Sequence, residues 1–478
     1  MEKYNGDIIN PEYVELILSE VKHSNSPYID ISETEDAYDY LTQEARPNDA
    51  RILVEYALQL HPDSIELLLL SARICIDNNE LKKAANILAT IPSSATENPD
   101  YYISYGWLEL KKKNMPKAIE YFDQACQIDE DMSYEIGLNL NQFGKHKEAK
   151  RFLIPYVKEY PNDAEALFEL AYAYEKTNMI NEARTTYETL VDKNPFYPTA
   201  WYNLGIIYSN ESQFDKALNA YTTATTIAPE YAEPYFNMGN AYMNLAQYNK
   251  ALENYIEYAS LTISNAKIDS SVMQYIGECW WELGNFDLAR RFYKKAISNI
   301  RSKSPNNDTL YYGYALCCIE LNDNKEAIRV LTKLIGTNAC VSEYYFARAQ
   351  AECNSLDKTG AYCDIIDGIS LSPNNVLAWH EAMRLYISIY SVKSIEYFLK
   401  EHKQYKSYPA FQFITFVVQY CFMHKYKTAL KTLEQVAQNN KDVIYDAAEE
   451  DSIRHLLSDP YIEQMLQKYK IQLSESQH

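Results

Sequence analysis

A ladder of small residues runs the length of the chain at almost constant spacing. Ala50, Ala84, Ala118, Ala149, Ala183, Ala217, Ala251, Ala289, Ala327, Ala361, Ile395 and Ala429 stand 34 residues apart in eight of their eleven intervals. The same step carries other residue types with it: Tyr174, Tyr208 and Tyr242; Tyr187, Tyr221 and Tyr255; Pro195 and Pro229. A period of this length marks one supersecondary unit copied end to end. A chain of 478 residues built so has no single compact core. One interval is 31, a three-residue deletion before Ser133, and two are 38. The insertions fall in the polar stretches Leu261 to Asp269 and Asn299 to Asp308, which read as longer turns.

Within a unit the apolar residues form two blocks at helical spacing. Trp201, Leu204, Gly205 and Tyr208 make the first; Ala217, Tyr221 and Ala224 make the second. A polar turn separates the blocks, and Pro229 stops the second helix. Each unit therefore predicts a helix hairpin. Gly205 and Ala217 let its helices approach closely, while Tyr208 and Tyr221 fill the space alongside. This pattern resembles the tetratricopeptide repeat, with Tyr where Phe is commoner. The resemblance implies an all-α, right-handed α-solenoid of about twelve helix-turn-helix repeats over residues 31–443, matching best over 164–258. In the last two units Met383 and Val417 replace the Gly, which predicts looser packing or altered angles there. Residues 1–30 are expected to hold a capping helix, read from 8–22. Residues 444–478 are expected to hold two short capping helices, "EEDSIRHL" and "DPYIEQML", the second starting at Asp459-Pro460, and a disordered tail.

No catalytic or cofactor motif accompanies the repeat. None of the eight His has a partner at metal-ligand spacing, and there is no Gly-rich phosphate loop and no G-x-S-x-G. Cys317-Cys318 read as helix residues. Trp280 takes the core position of Tyr208, and Trp281 lies one step round the helix. The chain is thus expected to be non-catalytic, with no cofactor and no metal. Its net charge of −21 opposes attraction to nucleic acid and anionic lipid. No run of 18 apolar residues suggests membrane insertion, since Gln412, Thr415 and Gln419 break the nearest. Nine Cys without a C-x-x-C pair and a start unlike a signal peptide point to a reducing, cytoplasmic setting.

The resemblance further implies that first helices line a concave groove. Reading the position after Trp201 along the ladder gives Phe168, Tyr202, Phe236, Tyr312 and Phe346, interrupted by Gln274. Asn203, Asn210, Asn237, Asn240 and Asn244 flank this row, and Tyr172 lies beside it. Side-chain amides both donate and accept, so a ladder of them suits a peptide backbone. The expected site is therefore Phe168, Tyr172, Tyr202, Asn203, Asn210, Phe236, Asn237, Asn240 and Asn244. Glu165, Glu169, Glu175, Glu233, Glu278 and Glu282 surround it without a basic clamp, which favours a neutral to basic protein or peptide partner. The expected function is an interaction scaffold or adaptor gripping an extended segment. The alternative is a structural subunit docking through its outer face or caps.

Overall fold

The computed structural model describes residues 4–5, 8–23, 27–263, 269–300 and 307–471. It forms two compact units, residues 1–211 and 212–478. Both are built from antiparallel helix pairs, so the fold is an all-α repeat array. The only strands among the described residues are β1 (Tyr4–Asn5) and β2 (Ile8–Ile9), paired with each other.

In the first unit α1 (Pro11–Lys22) precedes the pairs α2 (Ile31–Gln43) and α3 (Pro47–Leu60), then α4 (Ile65–Asp77) and α5 (Leu81–Thr90). There follow α6 (Pro99–Lys111) and α7 (Met115–Ile128), α8 (Met132–Gln142) and α9 (His146–Glu159), α10 (Ala164–Lys176) and α11 (Ile180–Lys193), and α12 (Pro198–Asn210). The second unit starts with α13 (Phe214–Ile227), then α14 (Ala232–Asn244) and α15 (Tyr248–Thr262), α16 (Ser270–Glu282) and α17 (Phe286–Asn299). It continues with α18 (Asp308–Glu320) and α19 (Asn324–Thr337), α20 (Ser342–Asn354) and α21 (Lys358–Leu371), α22 (Val376–Tyr390) and α23 (Ile395–Glu401), α24 (Pro409–Val417) and α25 (Tyr426–Asn439). Three short helices, α26 (Asp442–Ala447), α27 (Asp451–Leu457) and α28 (Pro460–Lys468), end it. The longer turns expected at 261–269 and 299–308 fall largely on residues outside those described, as does the tail from 472.

Most hairpins turn on one left-handed residue placed five positions before the ladder residue. Asn79, Lys113, Asn178, Ala246, Asn322 and Leu356 all have φ between 54° and 64°, and Gly144 and Gly284 take the same place. The residue after each donates its N–H to a carbonyl five back, as Glu80 does to Cys75 at 2.7 Å and Gln247 to Tyr242 at 2.9 Å. That bond closes the first helix's orphaned carbonyls and reverses the chain.

Packing inside a pair depends on the small residue of the first helix. A Cβ added to Gly106 would lie 2.3 Å from the ring of Phe122. At Gly239 it would lie 2.5 Å from Tyr255, and at Gly137 2.5 Å from Leu153. The ladder residues Ala84, Ala118, Ala149, Ala251 and Ala361 are fully buried opposite. Near Met383 and Val417, where looser packing or altered angles were expected, α22 and α23 meet over less of their length than regular pairs do. The irregularity there is in the helices: α23 is only seven residues long and a π-turn, Val418–Phe422, follows α24. Trp379, Phe398, Phe413 and Phe416 nonetheless bury completely, because large rings occupy the space that a regular hairpin fills with backbone.

One buried ion pair interrupts this apolar scheme. Arg348 of α20 grips Asp364 of α21 through two bonds, of 2.6 and 2.7 Å. Glu352, one turn on, has a buried Oε2 without a hydrogen-bond partner. Burial, then repulsion from Asp364, pushes its carboxyl up to about 7.

Two predictions follow from this packing. Gly106→Ala and Gly239→Ala should each lose about 1–3 kcal/mol by overpacking against a ring. Gly336→Ala, with no atom within 4 Å of the new Cβ, should be neutral or gain up to about 1 kcal/mol from helix propensity; denaturant midpoints test the contrast. Glu352 holds its proton more tightly in the fold than the ordinary 4.5, so stability drops as pH rises from 4.5 through 7. Glu352→Gln should therefore raise the melting midpoint at pH 8, by about 1 kcal/mol after allowing for solvent screening, and change nothing at pH 4.

Candidate functional site: the face of the first helices

In the first unit Phe168 is half-buried on α10, its ring 5.9 Å from Tyr187 and 5.4 Å from Tyr197. Tyr172, one turn on, meets His146 edge-on and carries the Lys176 ammonium over its ring at 4.9 Å. Tyr202 is half-buried on α12 and Asn210 is exposed at its end. Asn203 is turned onto the preceding helix, where its Nδ2 donates to the Tyr187 hydroxyl at 2.9 Å. Burial holds that hydroxyl well above the usual phenol range.

The second unit repeats the theme. Phe236 on α14 sits among Tyr255, Tyr258 and Tyr275, with ring centres 5.2–5.6 Å away. Asn240 accepts from the Tyr255 hydroxyl at 2.7 Å. Exposed Asn244 donates to the Asn240 carbonyl of its own helix, and Asn237 is half-buried. Asn203 and Asn240, expected to offer their amides to a partner, are each already bonded to a core phenol. A buried phenol requires a hydrogen-bond partner, and these two amides supply it.

Two features of this face escaped sequence reasoning. In the first unit the carboxylates of Asp39 on α2, Asp77 on α4, Asp100 on α6 and Glu135 on α8 gather around Arg73, with Glu35 of α2 close to Asp39 and Asp100. Burial raises each of their pKa values; nearby carboxylates add to the rise at Glu35 and Glu135, while Arg73 opposes it at the other three and at Glu135. Glu135 stands 3.8 Å from the Arg73 guanidinium. Only the fold gathers groups so far apart in sequence. In the second unit α16, α18, α20 and α22 enclose a concavity of about 800 Å³. Tyr312 and Phe346, members of the expected aromatic row, line it together with Trp281, Leu316, Gln350 and Glu381. Arg384 is held inside it by Glu381 at 2.8 Å and by Gln350 at 2.7 Å. Burial, then the nearby carboxylates Glu343 and Glu381, pushes the Tyr312 hydroxyl up to about 12. Trp281, which its place on the helix turned towards the groove and whose role the sequence left open, lines this space.

Stacked helix pairs that present ringed, charged faces define a helical-repeat protein, a class that generally serves as an interaction scaffold. Tetratricopeptide repeat profiles match residues 41–107, 140–204 and 281–351, with further matches at 99–132, 198–231 and 232–262, together more than half the chain. The chain belongs to the tetratricopeptide repeat family. No curated protein matches it in sequence. Among solved structures it is similar to YrrB, described as a TPR protein with an unusual peptide-binding site, at 15% identity and a TM-score of 0.36 over 41% of this chain and 96% of that one. It is also similar to a tetratricopeptide repeat protein from Parabacteroides merdae, at 19% identity and a TM-score of 0.37 over 54% and 98% of the two chains. A third is PilF of Pseudomonas aeruginosa, at 18% identity and 0.37 over 45% and 94%. No helix among the described residues is long and apolar enough to cross a membrane.

The amide–phenol bonds make a stability test. Asn203→Ala and Asn240→Ala should each lose about 1–2 kcal/mol by stripping a buried hydroxyl of its partner. Asn210→Ala and Asn244→Ala, on exposed surface, should stay within about 0.5 kcal/mol of wild type. Equal losses at all four in chemical denaturation would show that the bonds do not stabilise the fold.

Proposed function

We propose that this chain is a non-catalytic scaffold that holds an extended, neutral to basic protein segment along its first helices. The observation that carries the reading is the concavity walled by α16, α18, α20 and α22. Its rings recur at equivalent repeat positions, so successive residues of an extended segment meet successive pockets. Its volume is in the range that receives several side chains. Carboxylates dominate its charge, since Arg384 is already paired, and the carboxylates around Arg73 give the first unit's equivalent face the same sign. Phe168 to Asn210 in the first unit and Phe236 to Asn244 in the second are regular stretches of the respective faces. There Asn210 and Asn244 are exposed, while Phe168 and Phe236 pack on tyrosines and Asn203 and Asn240 bond to them. A net charge of −21 disfavours nucleic acid as the partner.

Trp281→Ala combined with Tyr312→Ala removes two rings from the concavity. In fluorescence anisotropy with a lysine-bearing extended peptide, the double variant should bind at least ten-fold more weakly, on the scale of interface hot spots of about 2 kcal/mol. Raising salt should weaken wild-type binding as well. Should the variant melt like wild type and bind with unchanged affinity, the partner docks elsewhere, on the outer face or the caps.

A further inference from the structure

The deletion before Ser133 leaves a gap in the stack. The first helices α10 and α12 each have 13 residues, whereas α8 has 11. Ser133 stands at the repeat position that holds Tyr102, Leu167, Trp201, Tyr235, Tyr345 and Trp379 elsewhere. In those repeats a large side chain lies back over the end of the preceding second helix. Four of them hydrogen-bond the carbonyl six residues earlier: Trp201 to Pro195 at 2.8 Å, Trp379 to Pro373 at 2.9 Å, Tyr235 to Pro229 and Tyr345 to Ala339 at 3.3 Å. Ser133 cannot reach; its hydroxyl donates to the Glu130 carbonyl at 2.7 Å. An open slot of about 650 Å³ remains where α7, α8 and α9 meet, with Cys126 and Gln127 on one wall, Ser133 at its base, and Phe152, Pro155 and Tyr156 on the other. Contact between α7 and α8 is correspondingly sparse. Tyr134 stacks on Tyr156 at 5.4 Å and holds that wall in place.

The geometry points to this slot as a docking site, on the second-helix side of the first unit, for a partner segment that inserts one tryptophan or tyrosine flanked by lysine or arginine. The ring takes the place that the repeat's own large residue occupies in its neighbours, with an N–H or O–H at its edge to meet a carbonyl as theirs do. The flanking charge follows from the rim. Glu130 and Glu159 are exposed there, while Arg151, the one basic residue of the lining, is bound to Asp123 at 2.7 Å. A basic flank therefore meets uncompensated carboxylates. The site is separate from the face of the first helices and does not depend on it.

Ligand-observed NMR with capped Lys-Trp-Lys, Lys-Ala-Lys and Glu-Trp-Glu tests this on the full chain. Lys-Trp-Lys should bind at least ten-fold more tightly than the other two. Ser133→Trp should abolish that binding and raise the melting midpoint, because the chain then fills its own slot. Glu130→Lys with Glu159→Lys changes only exposed side chains and should weaken binding ten-fold even if Ser133→Trp does not fold. Trp281→Ala should leave it intact, which separates the slot from the proposed groove. Equal binding of the three peptides, or undiminished binding to the charge-reversed chain, overturns the assignment. Self-association that Ser133→Trp abolishes would give the slot to a second copy and overturn it too.

Discussion

The array depends on one contact, a large side chain of the second helix lying on a position of the first helix that has little or no side chain. Phe122 on Gly106, Leu153 on Gly137 and Tyr255 on Gly239 are the clearest instances, with side chains so near the glycine backbone that an added Cβ would lie 2.3–2.5 Å from them. The contact brings the helices together and fixes their rotation about their own axes. Once it is made, every other position of the hairpin has a determined direction. The fully buried ladder residue lies opposite, the left-handed turn residue falls five positions before it, and the position after Trp201 is left half-buried on the face of the first helices.

The chemistry of that ring spreads further than its packing. Where it is Phe122 or Leu153, nothing polar enters the core. Where it is Tyr187 or Tyr255, a hydroxyl goes in with it and must be paired, since an unpaired buried group costs about 1–3 kcal/mol. Asn203 answers the first and Asn240 the second, one from the next helix in the chain and one from the same hairpin. A chain with 44 Tyr and 15 Phe meets this requirement often. Polar residues next to the core are then part of the core's own hydrogen bonding before they are available to a ligand.

The repeat, its hairpins and its small residues were legible in the sequence because they rest on periodicity and residue size, which one strand of letters carries. Fewer of the site's details were legible. Asn203 and Asn237 look like rungs of a surface ladder with Asn240 on the same surface, and only the position of a tyrosine from another helix shows Asn203 and Asn240 engaged with a core hydroxyl. The carboxylates around Arg73 lie on four different first helices, so no window along the chain contains them together. Trp281 was placed one step round its helix, but the concavity it faces exists only once α18, α20 and α22 are stacked beside it. The vacancy at Ser133 had a signal: a residue without a ring in a column of large side chains, at the one interval of 31. The deletion was visible in the sequence. That it removes the side chain bridging two consecutive repeats follows only from the hydrogen bonds of Trp201 and Trp379.

In repeat arrays stability is close to a sum of each repeat's own stability and the interfaces with its neighbours, so a defect stays local unless an interface transmits it. The junction between α7 and α8 is such an interface, and it lacks the ring that joins consecutive repeats elsewhere. Replacing a large buried side chain by a small one removes about 2–5 kcal/mol from an ordinary core. There the Ser133 hydroxyl pairs within its own turn, while Arg151 with Asp123, Phe122 with Phe152 and Tyr134 with Tyr156 still join the helices around it. A ligand seated in the slot stabilises the folded form by RT ln(1 + [L]/Kd). Occupancy of the slot thus acts on how firmly the repeats on either side of it are held together, through the interface that the deletion weakened.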